Sequence, residues 1–545
     1  MKFYFLLLSS LIIFTIEHLH SEEFDLFTKI DKTVEINKAA SDNNGNTLLK
    51  VDPGAVRKII RNKPYKLKFK LPADDKERIC ILELKPVFID RSRIVINDSN
   101  GEHDANLLNS FACYSGKIKS IPGSRAYFVF TKKSVFANID LGERIFALDK
   151  RFAPDEYIMR DIFNEPISPG YNCGTYHDLS AEKTEKIYEI LREQIKKENS
   201  STLNDKHLTV EIAIETDHYL LEQFQNDSTE LAAYVSGLIG VVSQIFERDV
   251  NTSLKISYLN IRTDGNDPYP DGDVSKSKLL YQFREYWNQN MTDIHRDVAV
   301  YFSGRDNSDS RGGVANIISG FCETDRSYAF CNMNGYYSKL PLFSYDVHLV
   351  AHEIGHLFGS VHTHSCIWPG GAIDSCAGPD HGDCFEKRVK SRGTIMSYCH
   401  AYGHGSYLKF HPWVAKLIRG YLERSDCTGS VDDTEYIYNL SGRIFSKNEP
   451  KPDIKLKLSR YHYTWKPLGG TEAVSDENGN YKFTEMCSGY YHLNAPEGYS
   501  FKLPSGEITG RWSFILPGTD LKKDFEIYKS VKTNIKIHAE PPHDD

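Results

Sequence analysis

The stretch from His352 to His362, H-E-I-G-H-L-F-G-S-V-H, restricts the fold of this chain more than any other. If the segment is helical, His352 and His356 lie one turn apart and both rings face the same side. Two imidazoles in that arrangement can hold one Zn²⁺, and Glu353 beside them is placed to take a proton from a water molecule. Gly359 can adopt a left-handed conformation and end the helix, so that the chain turns back and brings His362 to the same ion.

Three neutral histidine ligands leave the fourth position of a zinc ion open, which is typical of a catalytic rather than a structural site. The alternative is a helix with solvated or capping histidines. The long spacing H-E-x-x-H-x-x-G-x-x-H is far more specific than H-E-x-x-H alone. Met396, in T-I-M-S-Y, follows this motif. Alone it would be an ordinary core residue, but together the two features resemble the zinc motif and Met-turn of the metzincin proteases.

This resemblance implies one catalytic Zn²⁺ held by His352, His356 and His362, with Glu353 as the general base. It also implies hydrolysis of peptide bonds in proteins or peptides by metal-activated water, without a covalent intermediate. Met396 would support the site from beneath by packing. The alternative function is that of a catalytically silent binding or adhesion protein that keeps the protease fold for partner recognition. No sequence feature supports bound calcium.

The N-terminus indicates export. Lys2 precedes the apolar run Phe3–Ile16, so residues 1–21 are expected to be a signal peptide, and no later stretch is expected to span a membrane. We therefore expect a secreted protein, and 11 cysteines in an exported chain suggest disulfides. Six N-x-[ST] sequons are candidate glycosylation sites: Asn97, Asn199, Asn226, Asn251, Asn290 and Asn439. The net charge of −8 argues against nucleic acid as a partner.

The length of 545 residues allows several domains. Residues 22–205 carry no catalytic motif, and alternating runs predict strands there. The stretch from Tyr114, Y-S-G-K-I-K-S-I-P-G-S-R, resembles the propeptides of reprolysin-like proteases, although an unrelated β-rich domain is the alternative. A charged run over 182–198 predicts a helix. A maturation cut is expected between about 196 and 207, which would make the protein a zymogen.

Cys173 stands on a glycine-flanked loop, Y-N-C-G-T-Y, within this predicted propeptide. It resembles the cysteine switch of metzincin zymogens, in which a thiolate fills the open zinc position. The alternative is a disulfide with Cys80 or Cys113. Cys80 and Cys113 can also pair with each other, which would leave Cys173 free.

Residues 206–430 are predicted to be an α+β catalytic domain with a mixed sheet and a zinc helix over about 345–358, capped near Ser344 and Asp346. Strands are expected over 207–215, 254–261, 297–302 and 311–318. Helices are expected over 228–250, with Ser228 or Asp227 as the N-cap, and over 276–291. In this order the domain resembles the reprolysin/adamalysin-like family, except that Thr363 stands where that family has aspartate. That departure leaves the subfamily open.

Two further groups of residues are candidate parts of the site. Gly313, Val314 and Ala315 are expected either to form an edge strand that binds an extended substrate or to be a simple core strand. Tyr398 is expected either to stabilise the oxyanion or to line the specificity pocket. The other histidines of this region are interpreted as surface or structural residues: His364, His381, His400, His404 and His411.

The cysteines around the zinc motif can pair in more than one way, because sequence does not determine disulfide connectivity. The expected pairs are Cys376–Cys384, Cys366–Cys399, and Cys322 with either Cys331 or Cys427. Residues 431–532 contain several short predicted strands and resemble the small β-sandwich modules of surface proteins. This module would bind a substrate or surface, or stabilise the enzyme. Residues 533–545 are expected to be a disordered tail.

Overall fold

A computed structural model of the chain describes residues 22–30, 47–73, 76–119, 121, 123–142, 144–150, 155–161, 173–175, 180–198, 207–263, 267–269, 271–305, 312–316, 320–334, 342–388, 391–427, 437–461, 467–487, 489–502, 508–516 and 521–529. The signal peptide 1–21, most of the expected maturation site and the tail 533–545 lie outside these residues. The multidomain, β-rich character expected from the sequence is present, with mixed sheets and a smaller number of helices.

The first part of the chain forms mainly one sheet. Its elements are β1 (Glu22–Phe24), β2 (Phe27–Lys29), β3 (Thr47–Val51), α1 (Pro53–Asn62), β4 (Lys66–Ala73), β5 (Lys76–Leu84), β6 (Phe88–Asp98), β7 (Gly101–Asp104), β8 (Ala112–Ile118), β9 (Arg125–Phe130), β10 (Val135–Asp140), β11 (Ile145–Lys150), β12 (Glu156–Asp161) and α2 (Ala181–Glu198). A ten-stranded sheet has the order β1-β4-β5-β8-β9-β10-β11-β12-β3-β2. Its alternating side chains enclose an apolar core of their own.

The central part contains the zinc motif. Its elements are β13 (Leu208–Thr216), α3 (His218–Gln223), α4 (Ser228–Val250), β14 (Thr252–Arg262), α5 (Lys276–Asn290), β15 (Val298–Ser303), β16 (Gly313–Ala315), β17 (Tyr328–Asn332), α6 (Leu342–Leu357), a 3₁₀ helix (Cys399–Tyr402) and α7 (Pro412–Glu423). The predicted elements are therefore present, with ends that differ by a few residues.

The central sheet extends beyond the predicted catalytic domain. Its order is β16-β17-β15-β13-β14-β6-β7, so two strands from the predicted propeptide form one side of it. β6 pairs in parallel with β14, whereas β16 at the opposite edge is antiparallel to β17. No sequence pattern indicates this arrangement, because β6 alternates like any other half-buried strand and its partner is distant in the chain.

Helix α4 is apolar around most of its surface, and this fits its position, because other elements of the protein cover it on two sides. Asp227 caps its N-terminus, as predicted, by accepting hydrogen bonds from two backbone N–H groups. One face packs on β14 and the other on β9 of the ten-stranded sheet. At Gly240 a side chain would overlap the ring of Tyr127, so glycine permits this close approach. By length and composition α4 could cross a membrane, but 89% of its apolar window is buried within the protein.

The last part of the chain forms two sheets. Its strands are β18 (Ile437–Ser446), β19 (Glu449–Pro450), β20 (Lys455–Tyr461), β21 (Pro467–Val474), β22 (Asn480–Cys487), β23 (Gly489–Asn494), β24 (Tyr499–Lys502), β25 (Ile508–Thr509), β26 (Arg511–Leu516), β27 (Leu521–Lys522) and β28 (Phe525–Lys529). One sheet is built around β18 and β28, and the other has the order β21-β20-β23-β26. Both contribute side chains to one apolar core, for example Phe525 and Leu456.

The disulfides differ from the expected ones. The bonds are Cys322–Cys427, Cys366–Cys384 and Cys376–Cys399. The predicted Cys376–Cys384 and Cys366–Cys399 pairs are therefore wrong, and Cys427 rather than Cys331 is the partner of Cys322. The described residues between His362 and Cys399 form no helix or strand that would indicate which sulfur atoms meet. Cys80 and Cys113 are both buried and reduced, so the bond that they could form with each other is absent.

Candidate metal centre

The zinc helix α6 begins at Leu342, before the residues expected to cap it. Asp346 lies inside the helix and accepts a hydrogen bond from the hydroxyl of Tyr234 at 2.5 Å. The predicted cap at Asp346 is therefore wrong, and this carboxylate instead ties α6 to α4. Gly359 has φ +96°, and its backbone N–H donates to the carbonyl of His356, so the helix ends where the sequence indicated.

The structure brings the three motif histidines together. Ligand atoms of His352, His356, His362 and Cys173 all lie within 4.8 Å of one another, and all four residues are buried. The Nε2 atoms of His352 and His356 are 3.0 Å apart. Such a set of nitrogen and sulfur donors around one point has the chemistry that Zn²⁺ prefers.

The other ring nitrogen of each histidine is held by the surrounding chain. His352 Nδ1 is 2.7 Å from the carbonyl oxygen of Ile395, and His356 Nδ1 is 2.8 Å from that of Ser360. His362 Nδ1 is 3.0 Å from Asp380 Oδ2. When Nδ1 carries the proton, each Nε2 keeps its lone pair for a metal, so these partners fix both the tautomer and the orientation of the rings.

The buried environment keeps the imidazoles of His352 and His362 neutral. Burial lowers the pKa of His352 and of His362 well below the usual value, and the neighbouring imidazoles lower it further. Neutral imidazole is the form that binds a metal ion. The buried residues present therefore fit a zinc ion.

Asp380 was not singled out from the sequence, although it contacts a predicted ligand. Its Oδ2 atom also lies 3.1 Å from His364 Nε2, so one carboxylate bridges two histidines. Asp380 lies in a glycine- and cysteine-rich stretch without periodicity, and no sequence signal indicated its position. His364 is buried, in agreement with a structural role.

The segment around Met396 lies beneath the helix. Met396 is fully buried, and a Cβ on Gly355 would be 2.7 Å from its sulfur atom. Thr363 donates its backbone N–H to the carbonyl oxygen of Met396 at 3.0 Å, and its hydroxyl contacts Asp374 and the same carbonyl. The residue that departs from the adamalysin pattern thus links the turn after His362 directly to Met396.

Cys173 lies in the centre of the site. Its Sγ atom is 3.5 Å from His356 Nε2 and 3.7 Å from Glu353 Oε2. Burial raises the pKa of this thiol well above the usual value, and the Glu353 carboxylate raises it further. Cys173 forms no disulfide, so the alternative pairing with Cys80 or Cys113 is wrong.

The backbone beside Cys173 lies along strand β16. Cys173 and Gly313 form a parallel β-bridge, and the N–H of Gly174 donates to the carbonyl of Gly313 at 2.9 Å. Thr175 Oγ1 accepts a hydrogen bond from the N–H of Ala315 at 2.8 Å and is 3.4 Å from Glu353 Oε2. Thr175 was overlooked in the sequence, although it stands in the same motif as Cys173.

All three candidate edge-strand residues therefore face the segment 173–175. Gly313 also lies against the general-base candidate, since a Cβ there would be 2.6 Å from Glu353 Cγ. Val314 contributes its side chain next to Gly174: a Cβ on that glycine would be 3.5 Å from Val314 Cβ. Contact of these residues with a substrate stays a prediction.

Tyr398 closes the other side of the site. Its ring centroid is 4.6 Å from that of His362, and its hydroxyl donates to the carbonyl oxygen of Cys173 at 3.1 Å. Burial raises the pKa of this phenol, and the nearby thiol raises it further. The hydroxyl therefore stays protonated and offers a hydrogen bond to a peptide carbonyl.

Residues 206–407 match the family model Reprolysin_5, metallo-peptidase family M12. Over these residues the chain is similar to the metallopeptidases of family M12. The match includes the zinc motif, Met396 and Tyr398, and leaves the segments on either side unassigned. The match to a metallopeptidase family agrees with the protein substrates and the zinc ion that the sequence predicts.

One solved structure that is similar to this chain is metalloproteinase-II from Bacteroides fragilis, with 13% sequence identity. The match covers 65% of this chain and 90% of that one, with a TM-score of 0.34. No curated protein matches the chain in sequence. The similarity of residues 206–407 to metallopeptidases therefore depends on the family model.

Proposed function

We propose that the chain is a secreted zinc endopeptidase of the metzincin type, made as a zymogen that Cys173 keeps latent. The observation that carries this proposal is the meeting of His352, His356 and His362 with Glu353 and a free thiol at one buried point. When bound, a zinc ion would activate a water molecule and polarise the scissile carbonyl. His352, His356 and His362 would hold it, with Cys173 as the fourth ligand in the latent form.

Each chemical task has a residue suited to it. Glu353 would accept a proton from water at Oε2, the atom that contacts Thr175 in the latent form, and deliver it to the leaving amine. Tyr398 would donate a hydrogen bond to the carbonyl of the substrate, because its hydroxyl already donates to a peptide carbonyl at Cys173. Strand β16 would hold an extended substrate through its backbone, as it holds residues 173–175.

Export and modification remain part of the proposal. The apolar run Phe3–Ile16 and three disulfides support an oxidising compartment. Among the described sequons, Asn226 and Asn290 are exposed and therefore accessible to glycosylation. The two-sheet C-terminal module supports the expected β-sandwich, whose role would be to bind a substrate or surface or to stabilise the enzyme.

A casein digest tests the proposal most directly. The full-length Cys173→Ala variant should contain zinc by mass spectrometry and degrade casein. A chelator should stop degradation, and added zinc should restore it. A zinc-loaded variant that cuts neither casein nor a peptide library would contradict the proposal.

We expect Asp380→Asn to lower the zinc affinity by about 10- to 100-fold, the usual effect of removing a partner that orients a ligand. The carboxylate holds His362 at 3.0 Å, and its loss frees the ring to rotate. Competition with a chelating dye measures the affinity. Asp383→Asn, an exposed residue of the same loop, is the matched control. Equal zinc affinities of the two variants would rule out this role for Asp380.

We expect Tyr398→Phe to lower kcat about tenfold on a peptide substrate, because a hydrogen bond to a charged oxygen is lost from the transition state. The measurement uses the Cys173→Ala background, in which the cleft is open. Tyr402→Phe, on an exposed ring nearby, is the control. Unchanged turnover would instead indicate that Tyr398 only lines the specificity pocket.

A further inference from the structure

Residues 22–198 contact the metalloprotease domain over far more than the site around Cys173. One apolar core contains side chains from both parts, including Val129 and Phe136 of the first and Leu238 and Val242 of the second. Gly237 of α4 lies directly beneath this contact, since a Cβ there would be 3.1 Å from Val129 Cγ2. A shared core is a property of permanently associated chains rather than of transient partners.

The second contact is a continuous sheet. β6 hydrogen-bonds in parallel to β14 over several residues, with Leu259 opposite Ile94 and Ile261 opposite Ile96. The N–H of Ile256 donates to the carbonyl of Val87 at 2.8 Å just before this ladder. Without β6, the backbone groups along this edge of β14 would lose their partners.

Ion pairs reinforce the sheet and the α4 contact. Arg91 of β6 donates to both carboxylate oxygens of Glu211 at 2.7 and 2.8 Å, and only 6% of the Glu211 side chain is exposed. Lys85 contacts Glu247 at 2.7 Å, at the far end of α4. Arg248 of α4 contacts Asp140 of β10 at 2.9 Å. Partly buried pairs of this kind slow dissociation, because separation takes the basic partner away from each carboxylate.

The third contact is made by α2, immediately before the expected maturation cut. Ile190 is fully buried against Gly420 of α7, where any side chain would overlap it. Gln194 Nε2 donates to Glu423 at 2.8 Å, and Arg424 contacts Glu193 at 2.8 Å. A cut between 198 and 207 breaks none of these contacts, since all lie on elements that end before it or begin after it.

We infer that cleavage between residues 198 and 207 yields a non-covalent two-chain complex, in which residues 22–198 remain bound as a subunit and Cys173 still blocks the metal site. The inference depends on the proposed function only for its second half, the latency. Cys173 lies between β12 and α2, and both flanks stay attached, so the thiol keeps a high effective concentration at the site. Activation then requires a further event that acts on the Cys173 segment itself.

The experiment introduces the recognition sequence of a site-specific endoprotease between residues 198 and 207 of the full chain. After cleavage, the two pieces should co-elute in gel filtration at micromolar concentration and at physiological salt. The cut protein should be as inactive on a peptide substrate as the uncut one. Separation of the pieces under native conditions, or activity that appears on cutting alone, would overturn the inference.

A second arm separates this inference from the proposed function. The same cut is made in the Cys173→Ala variant, which should co-elute as two pieces and cleave the peptide. Co-elution without cleavage, with zinc present, would contradict the proposed function and leave the two-chain complex standing. Cleavage of the peptide by a piece that elutes alone would contradict the two-chain complex and leave the proposed function standing.

A matched pair of variants tests the interface itself. Arg91→Ala removes the contact with Glu211 and should raise the dissociation constant of the cut complex about 10- to 100-fold. Lys70→Ala, on β4, removes an ion pair with Glu77 of β5, which belongs to the same piece. Equal dissociation constants for the two variants would contradict the assigned role of β6.

Discussion

The Glu353→Gln variant, made in the Cys173→Ala background, is expected to have a kcat about 10²- to 10⁴-fold lower while it keeps its full zinc content. Glutamine preserves the shape of the side chain but cannot accept the proton from water. Glu353 is fully buried next to His352, and its Oε2 atom lies 3.7 Å from the Sγ atom of Cys173. The measurement is hydrolysis of a fluorogenic peptide, with zinc determined by mass spectrometry.

The matched control is Glu323→Gln, an exposed glutamate of the same domain that pairs only with Arg326 at the surface. It should leave kcat unchanged. If Glu353→Gln and Glu323→Gln turned over equally fast, the general base would have to be sought elsewhere. If the parent variant bound zinc and cut no peptide at all, the alternative of a silent binding protein would gain support.

The Cys173→Ala substitution is expected to raise the activity of the uncut, full-length chain by roughly 10². A structural zinc site with four ligands is worth about 10–16 kcal/mol, so one thiolate contributes about 3 kcal/mol, which corresponds to that factor. The gain is limited because the variant keeps the backbone contacts of the segment with Gly313 and Tyr398. The assay compares both proteins on the same peptide before any cleavage of the chain.

Cys80→Ala is the control for this experiment, because Cys80 is also buried and free but lies in the distant ten-stranded sheet. It should leave latency unchanged. A Cys173→Ala protein as silent as the wild type, with zinc bound, would remove the thiol from the mechanism. Thr175→Val, combined with Cys173→Ala, should open the cleft further, since it removes the hydrogen bond from Ala315.

The sequence predicted those parts of the molecule that depend on local patterns. The spacing of His352, His356 and His362 defines one face of a helix and the turn after it, and the structure brings these rings together. Asp227 was recognised as a cap because an N-cap depends only on its own neighbours. The continuous apolar run of β15 likewise indicates burial on both faces of the sheet, and all of its residues are buried.

The features that were missed depend on contacts between distant residues. The parallel pairing of β6 with β14 leaves no trace in either strand alone. The partners of Cys366 and Cys376 depend on how an irregular stretch folds, so their disulfides were assigned wrongly. Asp380 reaches His362 from within the same stretch. The cap expected at Asp346 was wrong because a tertiary contact with Tyr234 uses that carboxylate.

The largely apolar surface of α4 has a practical consequence for producing this protein. A gene truncated to begin at residue 207 would encode a domain whose helix presents Gly237, Gly240 and their apolar neighbours to water. The same product would expose an unpaired β14 edge, and the two together favour aggregation. Recombinant expression should therefore supply residues 22–198 with the remainder, either in one chain or as a co-expressed second chain.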